Sequence, residues 1–441
     1  MINFIVVNNG LKNYNGHYYE TGISVCEAAS SLGYNVCMGA HFNFEKTYQT
    51  TKNILIKNLF EVDHWHTQTS EKPFRDGIKI KPENYLQRKL RAFFRFLKNP
   101  RLFIELRKHK FFKEIILMEI FLKNLTSLLE PYMEKEGLVF LPTAHPRELF
   151  ACSLYNYLYR KIHKFSFAFE FRHPLTIIST DSNYEFWVQY KLLSEIWFKF
   201  ISKRFPSNFK IYTDTPELVK EYEAYLPVTI NTLPIPFRSS FFGNHLYSSG
   251  KKLSLGYFGD ARNEKGFQHL PGLHKFLKSR KDIEGNFKFL IQCTNANLWA
   301  NGIEVLNYFK TISPEEVELV GIGKPLTDNE YYHLISSSDV CLLPYDSGIY
   351  RSRSSGCLSE AIAMGIPSVI PKNTWLEKQA PENCQVSFQT IDDFYNATYH
   401  LIKNYSYYHE NIKAYKKQWL DINNPKNLVI KLFEEACYGY Q

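Results

Sequence analysis

The sequence predicts an α/β protein of two doubly wound, Rossmann-like domains facing a central cleft. Three observations carry that expectation. At 441 residues the chain exceeds what one hydrophobic core organises and fits two domains. Short apolar runs alternate with amphipathic helical stretches in both halves, the rhythm of a parallel sheet covered by helices. Between the halves, "RSSFFGNHLYSSGKK" shows no such period and marks a linker.

Composition narrows the class. Hydrophobic residues make up 44% and charged residues 22%, so the chain is globular throughout. Aromatic residues, at 16%, favour large cores and stacking surfaces. The formal charge of +9 suits polyanionic partners, an anionic membrane face or phosphorylated substrates. The eight cysteines are scattered without a CxxC pair or zinc-ligand spacing, as buried thiols in a reducing compartment would be. "MINFIVVNNG" is too short an apolar run for a signal peptide, and no stretch reaches the roughly 20 apolar residues of a membrane span. The expected location is cytoplasmic, with peripheral attachment to the cytoplasmic face of a membrane as the variant.

The first domain is expected over 1–237. "INFIVV" is a strand, "NNGLKNYNGHYYE" a glycine-containing loop, "TGISVCEAASSLGYNV" a helix ending at Gly33, and "YNVCMGA" the next strand. Its turn lacks the three glycines of a dinucleotide fingerprint, so NAD and FAD are not indicated. Residues 82–125 interleave Lys and Arg with Phe, Leu and Ile around Pro100, giving two basic amphipathic helices. These either show a solvated basic face over a buried aromatic one or dock on an anionic bilayer; no nucleic-acid motif accompanies the charge. "LVFLP" is a strand, "TAHPRE" its loop, and a helix follows through Tyr159. "KFSFAFEFRHPL" is a strand ending near Glu170, Arg172 and His173, "FKIYTDTPELVKEYEAYL" a strand, turn and helix, and "VTINTLPIPF" closes the half.

The second domain is expected over 251–420, with a helix in 421–441 packing back on the first. "LSLGYFGDARNEKGFQHLPGLHKFL" is strand, loop, helix; "FKFLIQC" is a strand; "VELVGIGKPLTDNEYYHLISSSDVCLLPY" is strand, glycine turn, helix, strand. In "RSRSSGCLSEAIAMGIPSVIP" a short helix over Cys357–Met364 ends at Gly365, a left-handed exit, with Pro367 barring continuation and Ser368–Ile370 starting a buried strand. The remainder is largely helical.

Ligands of doubly wound domains sit at the carboxyl ends of the strands. The notable residues cluster in the loops expected there. Arg262 and Lys265, just after a strand, suit a diphosphate, and suit a solvated turn with Glu264 balancing Lys265 equally well. With Ser355 as N-cap, the N–H groups of Gly356, Cys357 and Leu358 are available to an anion. Glu360 lies beyond capping-box reach; it is either an exposed carboxylate complementing the helix dipole or an acceptor for sugar hydroxyls. His145 suits a substrate hydroxyl or a structural role, and Gly16 and His17 suit backbone approach to a ligand or a plain turn. No Asp-x-Asp pair, P-loop, GxSxG or HExxH is present, so neither a metal nor a cofactor is expected.

Four stretches together resemble the GT-B glycosyltransferases, most closely the retaining group called family 4: "GHYYETGISVCEAASSLGYNV", "GDARNEKGF", "ISSSDVCLLPY" and, most specifically, "SSGCLSEAIAMGIPSVIP". The resemblance implies that Glu360 holds the ribose hydroxyls of a nucleotide sugar. It implies that the helix start at Gly356–Leu358 faces the diphosphate with Arg262 and Lys265 opposite, and that His145 lies near donor sugar and acceptor. Gly16 falls in the family's glycine loop, and Gly323, in the turn Gly321–Lys324, falls where the base is held. Two positions depart from the pattern. Ser352 stands where a second glutamate is usual, so sugar contacts fall to Asp346, Arg351 or Arg353, with His17, Glu170 and Arg172 on the facing side. Asp260 stands where the diphosphate arginine is usual, and Arg262 takes its place.

The expected activity is metal-independent, retaining transfer of a sugar from a nucleoside-diphosphate donor to a hydroxyl of a glycan, lipid-linked or protein acceptor, in glycan assembly. Competing readings are another nucleotide-sugar enzyme such as an epimerase, active without an acceptor, or a peripheral membrane or nucleic-acid binder using 82–125, whose binding would be salt-sensitive and survive loss of Glu360.

Overall fold

The computed structural model describes residues 2–12, 17–44, 54–63, 110–175, 184–237, 252–296, 300–324 and 326–436. In chain order the strands of the first domain are β1 (Asn3–Asn8), β2 (Asn35–His41), β3 (Leu55–Phe60), β4 (Glu136–Leu141), β5 (Lys164–Phe171), β6 (Phe209–Thr213) and β7 (Ile230–Thr232). They form one parallel sheet in the order β3-β2-β1-β4-β5-β6-β7. The second domain contributes β8 (Leu253–Phe258), β9 (Phe287–Gln292), β10 (Val317–Val320), β11 (Val340–Leu342), β12 (Ser368–Pro371) and β13 (Gln385–Phe388), parallel in the order β10-β9-β8-β11-β12-β13. In each sheet the winding direction reverses beside the first strand, between β1 and β4 and between β8 and β11. A crevice opens at the carboxyl ends of the strands at such a reversal.

Local chemistry explains the elements. Every residue of β1 and of β8 is buried, because helices cover both faces of a parallel sheet. The first helix begins at His17 rather than Thr21, so His17 to Tyr19 belong to the helix and not to the loop. Gly33, at φ +88°, turns the chain into β2. The helix Gly356–Met364 closes as expected on left-handed Gly365 (φ +78°). The C-terminal part is not simply helical: β13, four residues long with two polar members, completes the second sheet.

Within the basic segment 82–125, only the part from residue 110 is described. There the helix Lys110–Leu129 sends Leu117, Met118, Phe121, Leu122 and Leu125 into the first domain's core beside Phe60 and Leu141. Those side chains are committed to the domain and are not a bilayer-docking face. Two-domain connectivity is doubled at the other end of the chain. The helix Tyr405–Ile422 packs Ile412 and Trp419 against Leu358 and Ile362 of the second domain. The next helix, Pro425–Ala436, inserts Leu428, Val429, Leu432 and Phe433 among Phe4, Val6 and Leu138 of the first. Phe433 stacks on Tyr34 at 3.9 Å between ring centroids. Both crossings meet where Ile235 N–H donates to Asn423 Oδ1 at 3.0 Å.

Candidate functional site

A cavity of about 520 Å³ lies between the domains, with walls from the strand ends of both. On the second-domain side the chain enters the helix Gly356–Met364 through Ser355, whose Oγ accepts from Leu358 N–H at 3.4 Å. That bond removes Leu358 from the anion-binding set expected for it; Leu358 is fully buried and off the wall. Gly356 and Cys357, in the opening turn whose N–H groups have no helical partner, line the cavity. Cys357 Sγ donates to Phe258 O at 3.3 Å, fixing the helix start at the end of β8.

Glu360 lies one turn further and also lines the cavity. It is 4% exposed, which disposes of the solvent-facing carboxylate alternative. Tyr331 hydroxyl donates to its Oε2 at 2.9 Å. Burial pushes the carboxyl up to about 7, against the opposing pull of the Tyr331 hydrogen bond and the Lys265 charge.

The loop after β8 is built on two glycines. A Cβ on Gly259 (φ +122°) would stand 2.8 Å from Lys265 Nζ, and one on Gly266 (φ +69°) would meet Pro344 O at 1.9 Å. Lys265 and Arg262 both reach the wall. They differ in company. Arg262 Nε is 3.2 Å from Asp260 Oδ2, and its Nη1 is 2.8 Å from Glu264 Oε1. Glu264 thus balances Arg262, not Lys265. Asp260 is itself held by Asn295 Nδ2 at 2.9 Å.

The first domain supplies Glu20, Thr21, Thr143, Arg172, His173 and Asp214 to the opposite wall. Arg172 Nε lies 3.3 Å from Glu170 Oε1 and 3.7 Å from Asp214 Oδ2. Glu170 is fully buried beneath it and off the wall, its carboxyl pushed up to about 7 by burial with Arg172 opposing. His145 stays off the wall too. It precedes the helix Pro146–Tyr159, its ring meets that of His173 edge to face at 5.7 Å, and among the described residues His173 is the histidine on the cavity.

The walls touch directly. Thr215 Oγ1 donates to Ser352 O at 2.7 Å, Ser354 hydroxyl donates to Asp214 Oδ2, and Lys378 pairs with Glu217. Arg353, between the two pinned serines, lines the cavity with its guanidinium 5.5 Å from the Tyr350 ring centroid.

Of the residues singled out from sequence, the structure brings Arg172, Arg262, Lys265, Arg353, Ser355, Gly356, Cys357 and Glu360 to one cavity. Asp346 is exposed and shapes its own turn, accepting from Gly348 and Ile349 N–H at 2.8 and 3.0 Å. Arg351 is exposed, and its carbonyl accepts from Trp375 N–H. Gly323 (φ +72°) donates its N–H to Thr294 O at 2.9 Å and is not on the wall. Gly16 and the His17 side chain lie outside the described residues. His173, Asp214 and Ser354 lie in the strand-end loops expected at the cleft but were not singled out as site residues. His173 follows Arg172 directly, and Asp214 follows β6 as Arg172 follows β5, so strand-end position was the available signal. Among the described residues no group of three or more His, Cys, Asp or Glu is arranged to hold a metal, and no helix is long and apolar enough to cross a membrane.

No family model matches this chain, and no curated protein matches it in sequence. Solved structures match along its whole length. Sucrose-phosphate synthase from Thermosynechococcus elongatus superposes with a TM-score of 0.66 at 12% identity, over 100% of this chain and 99% of that one. Anabaena HepE, crystallised with UDP and glucose, gives 0.63 at 10% identity over 99% of each chain. WaaG, a glycosyltransferase involved in lipopolysaccharide biosynthesis, gives 0.58 at 10% over 98% of this chain and 99% of that one. The two parallel-sheet domains therefore have the GT-B fold, as the four motifs led one to expect.

Proposed function

We propose that this chain is a glycosyltransferase that moves a sugar from a nucleoside-diphosphate donor to an acceptor hydroxyl, retaining anomeric configuration and needing no metal. One observation carries the reading: in a GT-B fold, Glu360, Lys265 and the opening turn at Gly356 and Cys357 converge on one wall of the interdomain cavity. A buried carboxylate accepts hydroxyl donors such as those of a ribose, while a lysine and a helix start receive an anion. That pairing suits a molecule with hydroxyls at one end and phosphates at the other. The nucleotide is carried over from HepE, whose crystals hold UDP and UDP-glucose.

As the bond to the sugar breaks, negative charge gathers on the leaving diphosphate. Lys265 and the helix start stabilise it where it forms, in a site that the facing wall shields from water. A front-face departure, with the leaving phosphate assisting the acceptor, is the route this reading takes. The acceptor, whether glycan, lipid-linked or protein, would enter beside Arg172 and His173. Attachment to a membrane face belongs to this reading only as a property of the acceptor.

The test is thermal unfolding with UDP, GDP, ADP, dTDP and CDP, without metal, on wild type and Glu360→Ala. A ligand at 100 times its dissociation constant adds about 2.7 kcal/mol to the native state. One nucleotide should raise the wild-type midpoint and raise the variant's much less. No shift with any of them sinks the donor-site reading.

A further inference from the structure

Among the described residues three arginines reach the cavity wall, and two are already matched. Arg262 faces Asp260 and Glu264; Arg172 faces Glu170 and Asp214. Arg353 stands in no ion pair among the described residues, and neither does Lys265. Arg353 is also held in place. The carbonyl of Ser352 before it accepts from Thr215 at 2.7 Å, and the hydroxyl of Ser354 after it donates to Asp214. Its guanidinium rests near the Tyr350 face, and Ser355, the helix cap, follows two residues on. Asp214, whose carboxylate feels the Arg353 charge without forming an ion pair with it, takes Ser354 on its Oδ2 and lies beside Arg172.

Resting on the donor reading above, we infer that Arg353, and not Arg262, is the arginine that takes the donor's diphosphate, working with Lys265 and the helix start. An unpaired guanidinium presents forked N–H donors to an oxyanion without first breaking an ion pair. Arg262, ion-paired with two carboxylates, holds the loop that aims Lys265. Asp214 and Thr215 are positioning residues: from the opposite domain Thr215 holds the Ser352 carbonyl and Asp214 the Ser354 hydroxyl on either side of Arg353, so the cation is aimed only when the domains are together.

The experiment is titration calorimetry of the diphosphate that binds wild type, its monophosphate and its nucleoside, on wild type, Arg353→Ala, Arg353→Lys and Arg262→Ala. Arg353 is half-buried, and an unchanged thermal midpoint without ligand confirms that its variants fold. A hydrogen bond to a charged group contributes about 1.5–3 kcal/mol, so Arg353→Ala should weaken the diphosphate roughly 10- to 150-fold while leaving the nucleoside unchanged. Arg353→Lys should recover part of the loss. Arg262→Ala should change the diphosphate-to-nucleoside ratio less than Arg353→Ala does. An unchanged diphosphate-to-nucleoside ratio in Arg353→Ala overturns the assignment while the donor reading stands. Absence of any nucleotide binding to wild type takes both down together.

Discussion

Glu360 is where a single side chain carries most. Its carboxyl sits near 7 because burial penalises the anion more than Tyr331 and Lys265 favour it. Hydroxyl donors of a bound nucleotide favour the anion, so binding at pH 7 should expel protons. The heat of binding should therefore vary with the buffer's ionisation enthalpy, and less so in Glu360→Gln. The same residue gives a stability prediction. Its folded pKa is raised above that of the unfolded chain, so the folded state binds more protons between about 4.5 and 7. That contribution is whole below the unfolded pKa and is lost as pH rises through about 7. Denaturant unfolding at pH 5 and pH 8 should show Glu360→Gln losing less stability across that interval than wild type, by on the order of a few kcal/mol. The sequence showed that Glu360 lay near a helix start; it did not show burial, since Tyr331 comes from another helix. Likewise the spacing of Arg262 and Lys265 was legible, whereas the partners that separate them, Asp260 and Glu264 bending back on Arg262, depend on a turn the pattern does not encode.

Elements built on glycine make a matched pair for experiment. Gly365 and Gly266 both have positive φ, so alanine at either is strained. At Gly365 the space is open, with Lys416 Cδ at 3.6 Å from an added Cβ; at Gly266 the Cβ would overlap Pro344 O. Gly365→Ala should cost about 1–2 kcal/mol, the ordinary left-handed penalty, and leave nucleotide binding intact. Gly266→Ala should cost clearly more and loosen the nucleotide, because the loop carrying Lys265 must move; thermal midpoints and binding isotherms on the two variants decide it. Strand and helix alternation in the central parts of both sheets was legible because buried parallel strands are continuous apolar runs. The edges were not. β3 is half-exposed along most of its length and β13 is short and half polar, so neither stands out as an apolar run. The helix Tyr184–Ile201, rich in aromatic residues, was not singled out, although Asp181, Ser182 and Asn183, all residue types that cap helices, stand just before it in the sequence.

At the scale of the molecule, two sheets are held by a chain that crosses between them twice, with Ile235 and Asn423 bonding the crossings together. The helix Pro425–Ala436 belongs by sequence to the second half and by packing to the first. Each of Leu428, Val429, Leu432 and Phe433 is essentially unexposed, and burying such a side chain stabilises by about 1.5–3 kcal/mol. A chain ending at Asn424 should lose several kcal/mol from the first domain while the second keeps its own core; calorimetry should show one transition falling steeply and the other holding. The same packing sets an order of events during synthesis. Domains ordinarily fold as they leave the ribosome, amino-terminal one first. Here the earliest strand waits for a late helix to cover Phe4 and Val6, so the domain translated first is the one finished last, and a nascent chain spends most of its translation with that apolar face in need of a chaperone.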